Sequence, residues 1–186
     1  TLGQKNDVEE DVKRLKEIGL EPMSFKIVEY SPPRFVDEEK GEKEITINFS
    51  DLTAGEIIDL TGFTGENQIA VIHETVRSFE ERDYTIDEFL EELENVNRRL
   101  GNITKTVTIK SRIEVLKHLG VFGEGFDPEE IIKDGQTTII NLSGLDLRTQ
   151  RITVAAILRR LFSKRTFGEI SPFCLFMEEI HRFAPS

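Results

Sequence analysis

The sequence predicts an α/β protein: part of a parallel sheet, interrupted by an inserted bundle of helices. Three observations lead there. Apolar residues alternate with a period of two in segments between residues 24 and 49, the period lengthens to 3.6 from about residue 51 to 136, and strand-helix-strand grammar returns from 137 onward. The first and last portions, 1–50 and 137–186, are therefore read as one discontinuous α/β core, and 51–136 as a helical insertion.

Taken in order, residues 6–18 place Val8, Val12, Leu15 and Ile18 on one helical stripe, with Gly19 as terminator. Residues 24–30 (SFKIVEY) read as a strand halted by Pro32 and Pro33, and 42–49 (EKEITINF) as a second, with Ile45, Ile47 and Phe49 on one face. Thr53 and Glu56 form a capping box for a helix containing Ile57 and Ile58. A helix over 66–81 aligns Ile69, Ile72, His73, Val76 and Phe79. Thr85 and Glu88 open another, with Ile86, Phe89, Leu90, Leu93, Val96 and Leu100 in line. Residues 106–119 repeat the pattern, and Asp127 with Pro128 starts a short helix. These helices, joined by short loops, should stack. The glycine-rich GVFGEG stretch (120–125) does not have the GxGxxG spacing and is read as a loop before that cap.

Residues 137–143 (TTIINLS) are a strand, and 146–165 a helix with Leu147, Val154, Leu158, Leu161 and Phe162 facing a core. PFCLFM (172–177) is apolar without alternation, which predicts a strand covered on both faces. The three together predict a right-handed βαβ crossover.

With 38% hydrophobic and 32% charged residues the chain has the composition of a globular domain. No apolar stretch reaches membrane-spanning length, and no signal peptide opens it. Cys174 is the one cysteine, so no internal disulfide forms; a reducing cytoplasmic setting is expected. One cysteine and three scattered histidines make no zinc cluster. The net charge of −11 repels nucleic acid overall, so any contact with it needs a local basic surface. The candidate is Arg148, Arg151, Arg159, Arg160, Lys164 and Arg165, but the favoured reading is a solvated helix face with cations near its C-terminal dipole end.

The strongest chemical signal comes last. In a parallel sheet, function gathers at the carboxyl ends of strands. An apolar run ending in Glu178-Glu179 puts two carboxylates there, where they repel each other unless a cation or water compensates. That is the arrangement of a Walker B element, in which one acid serves the shell of Mg²⁺ and the next orients the attacking water. A polar turn after an ordinary strand would read the same. Glu178-x-x-His181 also has di-iron spacing, but that chemistry needs a second copy, and the sequence has none.

FCLFMEEIHRFAP resembles the Walker B segment of the HerA/FtsK-like DNA-translocating ATPases. INLSGLDLRTQRITVAAILRRLFSKR is similar to the strand and long helix preceding it, and the first 32 residues to the segment after the family's second strand. The archaeal HerA group also carries a helical insertion ahead of Walker B. The resemblance implies a RecA-like core in a homo-hexameric motor that moves along double-stranded DNA with ATP and Mg²⁺, serving end resection beside a partner nuclease. By position it makes Glu179 the catalytic glutamate, Glu178 the metal-shell acid, and His181 a nucleotide-side residue. Glu178 departs from the usual Asp, and Ile180 from the usual Ala. The sequence contains no G-x-x-x-x-G-K-[ST], the loop that cradles phosphates. The chain is therefore expected to be a piece of a longer ATPase, inactive by itself. The alternative is a non-catalytic interaction module of similar descent.

Overall fold

The computed structural model describes residues 5, 7–80 and 82–180. It is a mixed α/β structure with a three-stranded, wholly parallel sheet, as the sequence predicts. The elements are α1 (Glu9–Glu17), β1 (Lys26–Ser31), β2 (Lys43–Glu44), α2 (Ala54–Thr61), α3 (Glu66–Ser78), α4 (Ile86–Arg99), α5 (Thr106–Leu116), α6 (Pro128–Ile131), β3 (Gln136–Ile140) and α7 (Leu147–Thr166). The sheet order is β2-β1-β3, with Lys26 opposite Gln136 and Tyr30 opposite both Ile140 and Lys43. Pairing β1 with β3 brings residues more than a hundred positions apart side by side, so the helices between them leave the sheet and return to it.

The helix starts form as the sequence dictates. Thr53 and Glu56 make a reciprocal capping box on α2, and Thr85 and Glu88 make one on α4. Gly62 ends α2 at φ 68°, where a side chain would be strained. Ile57, Ile72, Phe89, Leu93, Ile109 and Ile113 are buried, so α2 to α5 share a core. At its centre Phe49 meets Phe89 and Phe122 edge-on, each at 5.4 Å between ring centres, while Tyr84 stacks on Phe79 at 4.0 Å. One hydrophobic cluster runs from Tyr30 in the sheet through these helices to Ile157 and Leu161 on α7. His73, in line with the apolar stripe of α3 and read as a core-edge or surface histidine, is exposed; Val71 and Thr75 lie inside with Ile72, Thr75 donating its hydroxyl proton to the Val71 carbonyl at 2.7 Å.

The second predicted strand is cut short. Ile45, Ile47 and Phe49 are buried on one face, as the alternation requires, yet the ladder with β1 takes in Lys43 and Glu44 and ends where the Ile45 amide donates to the Ser31 carbonyl at 2.9 Å. Beyond them the chain turns to a different partner, the glycine-rich loop. The Ile47 amide donates to the Val121 carbonyl at 2.8 Å, and the Gly123 amide to the Ile47 carbonyl at 3.0 Å. A Cβ at Gly123 would lie 2.8 Å from the Thr46 hydroxyl oxygen and 2.9 Å from its methyl, so glycine here serves close backbone approach. Gly123→Ala should cost roughly 1–3 kcal/mol, the usual range for overpacking, read as a lower urea midpoint at unchanged slope.

α1 forms, but none of its residues is buried, and Val8 and Ile18 beside it are exposed. Its apolar stripe has no cover among the described residues.

Candidate functional site

α7 is the last helix before the candidate acid pair. Asp146 caps it: one carboxylate oxygen accepts from the backbone amides of Arg148 (3.0 Å) and Thr149 (3.2 Å), the other from the Thr149 hydroxyl at 2.5 Å. The Thr149 hydroxyl, with the two amides behind it, holds the Asp146 carboxyl below its ordinary value, against a smaller opposing effect of burial. A depressed carboxylate contributes stability above its unfolded pKa and loses it as the pH falls through the lower folded value. Folding stability should therefore fall as the pH drops through the carboxylate range, and less steeply in Asp146→Asn. Urea midpoints measured across that range check both.

The buried face of α7 is rotated from the expected one. Thr149, Gln150, Ile152, Thr153, Ala156, Ile157 and Leu161 face inward, whereas Leu147 and Phe162 are exposed. Sequence reasoning chose the wholly apolar stripe. The structure instead seats a partly polar one, because Gln150 donates its side-chain N–H to the carbonyls of Leu142 and Leu145, closing the loop between β3 and α7.

The basic residues of α7 are largely engaged within the molecule. Arg148 donates to the Asp59 carbonyl at 2.9 Å. Arg159 donates to both carboxylate oxygens of Glu56, 2.9 Å each, and to the Asp51 carbonyl at 2.7 Å. Arg160 reaches the Asp51 carboxylate at 3.3 Å. Lys164 pairs with Glu169, and Arg165 donates to the Ile170 carbonyl at 3.5 Å. Arg148, Arg159 and Arg160 join α7 to α2 and to the turn before it, whereas Lys164 and Arg165 hold the turn that follows α7. Sequence reasoning missed the link, since its partners lie about a hundred residues apart and the only local signal is the repeated arginines.

The last segment departs most from expectation. Residues 171–177 form no regular element and pair with no strand among the described residues. Ile170 is buried and Phe173 leans on Phe162, ring centres 5.9 Å apart; beyond that cover is lost. Cys174 and Leu175 are exposed, and Phe176 is 91% exposed. The expected doubly buried strand and its βαβ crossover are therefore not formed. Ladder bonds and a second covering layer come only from neighbouring elements, and among the described residues no strand stands beside this run. Glu178 and Glu179 follow in an exposed turn, with Glu179 at φ 53°, uncommon outside glycine. His181 lies outside the described residues. Among the described residues no three His, Cys, Asp or Glu side chains gather into a metal cluster. Two neighbouring carboxylates, all oxygen donors, suit a Mg²⁺ ion that keeps most of its waters.

A family model described as helicase HerA, central domain, matches residues 11–161. The chain belongs to this family. The match spans both sheet portions and the helices between them, and it ends within α7, ahead of the acid pair. Membership makes the HerA central domain seen here part of a HerA-like ATPase family. No curated protein matches the chain, and no solved structure does. No helix among the described residues is long and apolar enough to cross a membrane.

Proposed function

We propose that this HerA central domain forms part of an ATP-driven translocase on double-stranded DNA, and that Glu178 and Glu179 are its Walker B acids. One observation carries the reading: a chain matched to the HerA central domain over residues 11–161 continues, straight after α7, into an apolar run ending in two adjacent carboxylates. In the active protein residues 172–177 would join the sheet and bring the pair to its carboxyl edge. There Glu178 holds the hydrated shell of Mg²⁺ and Glu179 orients, or takes a proton from, the attacking water. The ion supplies charge neutralisation at the phosphates. His181 stands on the nucleotide side. The phosphate-binding loop comes from outside the 186 residues, in a longer polypeptide that assembles as a homo-hexamer in the cytoplasm and serves DNA end processing beside a nuclease. Residues 51–136 act in it as an insertion in the core.

The missing G-x-x-x-x-G-K-[ST] supports a second reading, a non-catalytic interaction module. Calorimetry separates them. Titrated with Mg-ATP, the 186-residue chain should show no tight binding, while a polypeptide including the phosphate-binding loop should bind and hydrolyse ATP faster with double-stranded DNA present. A longer polypeptide with no hydrolysis would leave the module as the answer. Tight binding by the chain alone would refute the proposed division of the site.

A further inference from the structure

We propose that Arg159 and Arg160 are positioning residues, a clasp that fixes the register of α7 on the helical segment and so sets where Glu178 and Glu179 stand. The proposal rests on the nucleotide reading above. Arg159 makes a bidentate fork with Glu56, the N3 acid of the α2 capping box, and adds the Asp51 carbonyl. Arg160, its neighbour, takes the Asp51 carboxylate and lies over the Phe126 ring at 5.7 Å. Gly125 of the glycine-rich loop, at φ 87°, lies beside its guanidinium. Nearer the start of α7, Arg148 holds the Asp59 carbonyl, so α2 is gripped toward both ends.

The clasp is costly as a pure stabiliser. The Nε of Arg160 is buried with no hydrogen-bond partner among the described residues, and the Arg160–Asp51 contact is long at 3.3 Å. Burial, with a smaller push from Asp83, raises the Asp51 carboxyl although Arg160 and the Asn48 amide work to lower it. The Arg160–Asp51 pair is half-buried, and ion pairs withdrawn from water are best attested where they fix a register. α7 is also the last helix before residues 172–179. A nucleotide that repositions that segment must move or load α7, and the clasp passes the load to α2, which packs on α3 and α5.

The test uses the polypeptide that includes the phosphate-binding loop and reads hydrogen exchange with and without Mg²⁺ and a non-hydrolysable ATP analogue. In the unaltered protein, amides of residues 55–61 should change protection when the analogue binds. In Arg159→Ala/Arg160→Met that response should vanish, with analogue affinity within about twofold and kcat lower by roughly 10–100-fold, as for a displaced catalytic group. Arg159→Lys keeps the charge and the fold but loses the fork, and should weaken the response at an unchanged KM. If the unaltered protein binds the analogue while α2 stays silent, or if the double variant keeps both response and kcat, the clasp is refuted and the nucleotide reading survives. If the unaltered protein binds no analogue, the nucleotide reading fails and the clasp fails with it.

Discussion

In the polypeptide that includes the phosphate-binding loop, Glu179→Gln should bind Mg-ATP as tightly as the unaltered protein and turn it over roughly 10²–10⁴ times more slowly, the usual contribution of a positioned general base. The amide keeps the size and hydrogen-bonding reach of the carboxylate but neither its charge nor its basicity. Glu178→Gln should behave differently, weakening the Mg²⁺ dependence of binding first, because that acid is assigned to the metal shell. A single-turnover assay with nucleotide affinity measured alongside separates the two. Full turnover in Glu179→Gln would remove that residue from catalysis. The expectation uses two features of the sequence, an apolar run and an adjacent acid pair, and it requires residues 172–177 to be drawn into the sheet during the cycle. A protection map of those amides under saturating nucleotide tests that requirement, with β3 as the internal standard.

Phe89→Ala should be the most damaging substitution in the helical segment. Phe89 is fully buried on α4, edge-on to Phe49 at 5.4 Å and stacked with Tyr84 at 5.9 Å. Phe49 belongs to the turn before α2, and Phe122, which also meets it, to the glycine-rich loop. Truncation would therefore open a cavity where three parts of the chain converge, at a cost of about 3–5 kcal/mol. For a domain of this size each kcal/mol lowers Tm by roughly 2–4 °C, so calorimetry should show a drop of about 6–20 °C. A smaller effect would mean that the aromatic cluster collapses onto the gap. Tyr84 adds a second constraint: its buried hydroxyl has no partner among the described residues, and burial, helped by Asp51, pushes its pKa up to about 12. Tyr84→Phe removes only that unpaired group, so it should cost far less than Phe89→Ala.

Much of the fold was legible because it depends on neighbours in sequence. Capping boxes at Thr53 and Thr85 and the Asp127 cap involve residues two or three positions apart, and all three form as read. The alternation over 45–49 gave the right buried face, since period two follows from the backbone itself. It did not give the partner: Ile47 bonds to the 121–123 backbone instead of extending β2, and no local pattern announces that. α7 failed for a related reason. A stripe of leucines and a phenylalanine is the best local guess at an inner face, but Gln150 and Thr149 find hydrogen-bond partners inside and carry the other face inward. The candidate acids were legible as a pair, though their setting was not.

By itself, then, the sequence determined the α/β class, the places where helices begin, and an acid pair behind an apolar run, because each is decided by residues within a few positions of one another. Tertiary structure alone decided which strands pair, which side of α7 is buried, that its arginines fasten it to α2, and that residues 172–177 join no strand among the described residues. Those outcomes depend on backbone donors, carboxylates and apolar surfaces brought in from distant parts of the chain, and burial is a property of what arrives to cover a segment.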